Sequence, residues 1–133
     1  MARGSSRSRT KGDIVIEKVT IDADSAVEEF GMRCQRLIPQ AIGPQEPPLG
    51  AMACFLEAGR DSAPDCHDQD ELMVVIAGTG AVTLAGERTP IGPGDLVFLP
   101  RNREHVVHSA AGTRLSWLSV YWPLYEPVPG ATA

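Results

Sequence analysis

From residue 50 to residue 122 the sequence runs as short apolar segments, each closed by glycine or proline. This punctuation limits the fold more than any other feature. Residues 50–57 form one such run, and Gly59 turns the chain out of it. Residues 72–77 stop at Gly78-Thr79-Gly80, and residues 81–84 turn at Ala85-Gly86-Glu87-Arg88. Residues 89–91 give way to Gly92-Pro93-Gly94-Asp95, and residues 96–99 end at Pro100-Arg101-Asn102. Residues 105–109 and 113–122 complete the series across Ala110-Ala111-Gly112. Strand-length runs repeating about every 8–12 residues, with turn residues between them, predict an all-β sandwich or barrel. The runs at 72–77 and 115–122 are apolar on both faces. A second sheet or a subunit partner must cover the side turned away from the interior, which points to a homodimer.

The upstream part is less regular. Residues 13–21 are rich in β-branched side chains and predict a strand. Residues 24–30 predict a short helix, capped by Asp24 or Ser25 with Glu28 and Glu29 following. Residues 34–38 predict a further strand, and Pro44, Pro47 and Pro48 make 42–49 a loop. The expected organisation is one domain over 13–125, a disordered basic tail over 1–12 and a flexible tail over 126–133.

Charge narrows the partners. Four of the twelve Lys and Arg side chains lie in the first twelve residues, leaving eight against all seventeen acids elsewhere. So acidic a body disfavours nucleic acid. No apolar run approaches the ~20 residues of a membrane helix, and the first twelve residues lack the apolar core of a secretory signal. The three cysteines, Cys34, Cys54 and Cys66, have no framework spacing. They read as reduced thiols of a cytoplasmic protein. The expected partner is a small molecule, with neither nucleic acid nor membrane.

Two segments carry chemistry. The first, from Gly59 to Glu71, gathers Asp65, His67 and Glu71 directly before an apolar run; the second, from Gly94, ends in His105. Together they offer two imidazoles and up to two carboxylates, a ligand set for a divalent metal with open positions. Side chains at i and i+2 of a strand share a face, so Asp65 and His67 point together and Cys66 points away. The same alternation turns His108 away from His105. Asp68 and Asp70 read as solvated turn residues, and Glu104 as exposed. Met52, Phe55, Met73, Val75, Phe98, Trp117 and Tyr121 are candidate linings of a substrate pocket, and they suit an apolar, even aromatic, ligand.

The spacings resemble those of the cupin superfamily. Its first motif is matched by Gly59, five residues, Asp65, Cys66, His67, three residues, Glu71, six residues and Gly78. Its second is matched by Gly94, five residues, Pro100, Arg101, Asn102, two residues, His105, three residues and Ser109. The resemblance covers roughly residues 50–122. It implies a double-stranded β-helix (jelly-roll) barrel, commonly dimeric, with one divalent metal per chain: Fe(II), Mn(II), Ni(II) or Zn(II). Three positions depart from the pattern. Asp65 replaces a histidine, Ser109 replaces an asparagine, and Asn102 replaces a glycine, where asparagine still tolerates a positive φ.

Asp65 leaves three readings open. It ligates, giving a set with two negative charges that neutralises a divalent ion and favours harder metals. It falls short, leaving His67, Glu71 and His105 as a two-histidine, one-carboxylate set with Asp65 free as a base. Or the site is vestigial. Glu71 and Asp65 are the candidate catalytic carboxylates, with burial expected to raise the pKa of whichever is free. The resemblance implies a metal-dependent enzyme, such as a non-haem iron dioxygenase, an isomerase or an aromatic polyketide cyclase. The alternative is a non-catalytic small-molecule or sugar-binding module, or a partner subunit.

Overall fold

Glycine, proline and alternation do shape the chain as the sequence predicts. The computed structural model describes Ile16 and residues 18–38 and 48–124. Its elements are a single 3-10 turn at Ala23–Ser25 and nine strands. The strands are β1 Val27–Glu29, β2 Met32–Ile38, β3 Gly50–Leu56, β4 Asp70–Ala77, β5 Gly80–Leu84, β6 Glu87–Ile91, β7 Leu96–Leu99, β8 His105–Ser109 and β9 Leu115–Trp122. They form a six-stranded sheet in the order β1-β2-β3-β9-β4-β7 and a three-stranded sheet in the order β6-β5-β8. All pairings are antiparallel. The architecture is a jelly-roll barrel. No helix among the described residues is long and apolar enough to cross a membrane.

The inner faces of both sheets make the core. Cys34, Cys54, Leu56, Met73, Val75, Val82, Leu99, Val107, Leu115 and Trp117 are buried together. Each side chain of Leu or Met size contributes roughly 1.5–3 kcal/mol through that burial. A second cluster lies on the outer face of the large sheet, where Val19 and Ala23 pack over Leu37, Ala51, Ala53 and Phe55. Gln35 fastens this cover, accepting from Asp22 N at 2.8 Å and donating to Thr20 O at 3.0 Å. Beyond the cover, among the described residues, Ile76, Leu96 and Phe98 of the outer face are exposed.

Turns are set by residues that accept a positive φ. Ala85 (φ 50°) and Gly86 (φ 80°) join β5 to β6 as a two-residue hairpin, so β6 starts at Glu87, inside the turn the sequence predicts. Pro90 lies in β6, an edge strand, where a missing N–H is tolerated. Gly78 is obligatory for space: a Cβ there would sit 2.1 Å from the Arg114 carbonyl oxygen.

Two upstream expectations change. Residues 24–30 do not form a helix; Ala23–Ser25 makes one 3-10 turn capped by Asp22, and Val27–Glu29 is a strand. The reason is the Phe30-Gly31 turn, with φ of 56° and 72°, which folds β1 back on β2 as a hairpin. A positive φ at Phe30 leaves no sequence signal of the Asn-Gly kind. Residues 18–21 form no strand. Residues 13–15 and 17 of that predicted strand, residues 42–47 of the predicted loop, and both predicted tails lie outside the described residues.

Candidate metal centre

Segment 59–65, which follows β3, runs antiparallel to β8 and acts as an additional strand of the small sheet. Gly59 N donates to Ala110 O (3.0 Å), Ser109 N to Arg60 O (2.8 Å) and Ser62 N to Val107 O (2.8 Å). Asp65 and His105 exchange both backbone hydrogen bonds, at 3.0 and 2.9 Å. Two bridges mark the pairing, Asp61 with His108 and Asp65 with His105. Three residues separate the aspartates and two separate the histidines, so the aspartate side holds one extra residue, as in a β-bulge. Ser62 sits in that irregularity, and its Oγ accepts from Val107 N at 2.9 Å. The bulge lets Asp61 meet an outward histidine and Asp65 an inward one.

The remaining candidate residues arrive from fixed points. His67 follows Asp65 by two residues, and its carbonyl accepts from Asn102 N at 2.8 Å. Asn102 has φ 61°, so it fills the glycine role in its turn as expected. Glu71 opens β4 and faces inward, paired with Tyr121 on β9 and Leu99 on β7. Asp70, beside it, is more than a solvated turn residue: its carboxylate accepts from Arg101 N (3.0 Å) and Arg101 Nη2 (3.2 Å). Those bonds hold its pKa below the usual carboxylate range and tie the two motif segments together.

Four atoms converge. His67 Nε2 lies 3.5 Å from both Asp65 Oδ2 and Glu71 Oε1. His105 Nε2 lies 4.0 Å from Asp65 Oδ2 and 3.9 Å from Glu71 Oε1. The imidazoles stand edge to face, at an interplanar angle of 89°. Asp65, His67 and His105 can hold a metal ion, their ligand atoms all lying within 4.8 Å of one another. Glu71 is aimed from behind: Ser119 Oγ donates to its Oε2 at 2.7 Å, and Trp117 Nε1 donates to Ser119 Oγ at 3.0 Å. The indole fills one acceptor site of the serine oxygen, directing the hydroxyl proton to Glu71 and leaving Oε1 for the cluster.

The electrostatics ask for a cation. No Lys or Arg among the described residues forms an ion pair with Asp65 or Glu71. His67 answers instead, its pKa pushed up to about 10 by hydrogen bonds first to Asp65 and then to Glu71. The same contact with His67 holds the Asp65 carboxyl below its ordinary value. This reverses the expectation of a raised pKa, because charge pairing outweighs burial at a half-buried carboxylate. A donor set that traps a proton this firmly fits a divalent ion, which competes for the same atoms. Nδ1 of both His67 and His105 is buried without a hydrogen-bond partner, so neither ring is oriented from behind.

A cavity of about 200 Å³ opens above the cluster, and Asp65, His67, Glu71 and His105 all line it. Of the predicted linings, Met52, Trp117 and Tyr121 are present. Met73 and Val75 point inward but lie in the packed core beneath. Phe55 and Phe98 are on the wrong face. Cys54 pairs with inward Trp117, which turns Phe55 outward under the N-terminal cover. Glu71 pairs with Leu99, which turns Phe98 outward, stacked on Trp122 with centroids 6.5 Å apart. Glu104 is exposed. Cys66 is exposed too, but it also lines the cavity, against the expectation that it points away. His108 faces outward, bonded to Asp61 Oδ1 and Thr83 Oγ1, each at 2.8 Å. Sequence reasoning misses Ser119 and Arg36, the latter a cation on the cavity wall. Strand parity from the inward Cys34 finds Arg36, two residues on.

The comparisons agree with this fold. The Cupin_2 family model, a cupin domain, matches residues 53–121, and the chain belongs to that family. An uncharacterized protein of Streptomyces coelicolor is 34% identical over 53 residues, 40% of this chain and 50% of the relative. The chain thus spans about half the length of that relative. Among solved structures, a Photorhabdus luminescens protein superposes with TM-score 0.73 at 26% identity, covering 81% of this chain and 88% of the other. A cupin 2 conserved barrel domain protein from Salinispora arenicola gives 0.74 at 24% identity, covering 82% and 90%. The polyketide cyclase RemF from Streptomyces resistomycificus gives 0.66 at 20% identity, covering 84% and 82%. The last two show a shared fold.

Proposed function

We propose that the chain binds one divalent metal through Asp65, His67, Glu71 and His105 and uses it on a small oxygen-bearing organic substrate. The observation that carries this is the convergence of two imidazole nitrogens and two carboxylate oxygens on one point in the cavity wall. Two carboxylates balance a divalent charge, and such an oxygen-rich set favours Fe(II), Mn(II) or Ni(II), with Zn(II) also accommodated. An ion held by these residues would supply Lewis acidity toward an oxygen-bearing substrate.

The chain's own residues do the rest. Asp65 and Glu71 hold the charge. Ser119 and Trp117 fix Glu71, and the apolar walls from Met52 and Trp117 exclude water from one side. Asp65 stands in the ligand cluster with His67 and His105, so its role is ligation. Cyclisation or isomerisation of an enolisable substrate is the reaction class best matched to this site. The polyketide cyclase is a precedent for that chemistry on this architecture. Dioxygenation is the outcome if the ion is iron.

Elemental analysis of protein purified without added metal tests the reading. Zinc, manganese or nickel at one per chain supports Lewis-acid chemistry, and iron directs it to oxygen chemistry. No bound metal, and none taken up on dialysis, overturns it. Metal uptake without turnover leaves a ligand-binding module. The exposure of Ile76, Leu96 and Phe98 on the outer face supports pairing with a second copy, which sedimentation equilibrium tests: a monomer at all concentrations contradicts it.

A further inference from the structure

We propose that the cavity wall across the large sheet from the metal residues is a second subsite, in which Arg36 and Tyr121 bind a carboxylate on the far end of the substrate; this rests on the metal reading above. The substrate class is then an acid with chelating oxygens at one end, an apolar or aromatic middle, and a carboxylate at the other.

The register places the two ends. Glu71 pairs with Tyr121, Tyr121 with Gly50, and Arg36 with Met52, the inward neighbour of Gly50. Arg36 is therefore three strand positions from Glu71, about 14 Å along the sheet at the usual spacing. Both Arg36 and Tyr121 line the same cavity as the metal residues, and Arg36 is its one Lys or Arg among the described residues. The wall between them carries Met52 and Trp117.

Arg36 is aimed and underused. Its Nη2 donates to Glu29 Oε1 at 2.8 Å, which fixes the guanidinium head. Its Nη1 faces Met52 Sδ at 2.9 Å. A thioether is a weak acceptor, whereas a guanidinium offers five N–H donors. An entering carboxylate replaces that poor partner with a charge-assisted pair.

Tyr121 supplies the second donor. Its ring lies over Gly50, where a Cβ would come within 2.4 Å of the ring, so glycine leaves the space the ring occupies. Its hydroxyl has no hydrogen-bond partner among the described residues. Burial raises its pKa, with the Arg36 charge pulling the other way, so the phenol keeps its proton at neutral pH and donates. Arg36 and Tyr121 line the same cavity, and a carboxylate can accept from both the guanidinium and the phenol.

The test compares catechol with 3,4-dihydroxybenzoate, which adds a carboxylate opposite the chelating oxygens. Both are titrated into Co(II)-loaded protein by calorimetry. The carboxylate is expected to tighten binding by roughly tenfold or more, the scale of one charged hydrogen bond. Arg36→Gln should bring the ratio of the two affinities close to one with catechol unchanged, and Arg36→Lys should keep part of it. Glu29→Gln, which keeps an acceptor that can aim the guanidinium but removes the competing negative charge, should raise the ratio. A ratio unmoved by Arg36→Gln and by Glu29→Gln overturns the subsite while leaving the metal reading intact. Binding of both ligands that ignores the metal, or no binding of either, overturns both.

Discussion

The two faces of β8 each carry a histidine opposite an aspartate, and they use it in opposite ways. On the outer face His108 is bonded at both ring nitrogens, to Asp61 and Thr83. On the inner face His105 Nε2 makes no bond of that length; it stands about 4 Å from each of two carboxylate oxygens. The outer pair is a finished structural contact. The inner cluster is a set of side-chain atoms spaced around one point. The same residue types differ in function because one extra residue between Asp61 and Asp65 turns the second pair inward, beside Glu71.

The largest expected effect separates the two aspartates. Asp65→Asn should cost more metal affinity than the roughly 10–100-fold typical of an outer partner, while Asp61→Asn leaves it unchanged; calorimetric metal titration reads both. The metal-free protein gives a second contrast. Repulsion between two close carboxylates would make Asp65→Asn raise the apo melting temperature. A protonated His67 lies between them, so the expected sign is the reverse: Asp65→Asn lowers it at neutral pH.

Ser119→Ala should come next. It removes the bond that orients Glu71 and leaves a buried carboxylate oxygen and the Trp117 N–H unpaired. A loss of about 1–3 kcal/mol in stability is expected by thermal or urea unfolding, with roughly 10–100-fold weaker metal binding. The inner cluster should also be marked by pH. The folded-state pKa of His67 is raised, so its contribution is fully present below the ordinary value of 6.5 and is lost as pH rises through about 10. Apo stability should fall across that window, and the metal-loaded protein should be flatter, because the ion takes the place of the proton. Smallest is the outer pair. Asp61 is mostly exposed, so Asp61→Asn should change stability by less than about 1 kcal/mol in urea unfolding.

Much of this was legible in the sequence, for reasons that also mark the limits. Glycine and proline cut the chain where strands end, so most strands from residue 50 onward are found within a residue or two. The motif spacing singles out Asp65, His67, Glu71 and His105, which the fold gathers into one cluster because strand ends keep fixed separations. Side-chain facing is legible only where polar and apolar residues alternate. β3 and β7 are apolar on both faces, so nothing local says that Phe55 and Phe98 turn outward, and their register with Trp117 and Glu71 decides it. Arg36 and Ser119 escape for a related reason: each gains its meaning from partners far along the chain. The bulge at Ser62 has no sequence mark at all, yet it sets the facing of Asp65.

The account rests on the inner face of β8 holding a metal and the outer face not. Titration of the metal-free protein with Co(II), followed by its visible absorption, tests this on three forms. Wild type and His108→Ala should each bind one equivalent with the same spectrum, and His105→Ala should lose that spectrum and bind far more weakly. Equal binding by His105→Ala, or loss on His108→Ala with the fold intact, would contradict it.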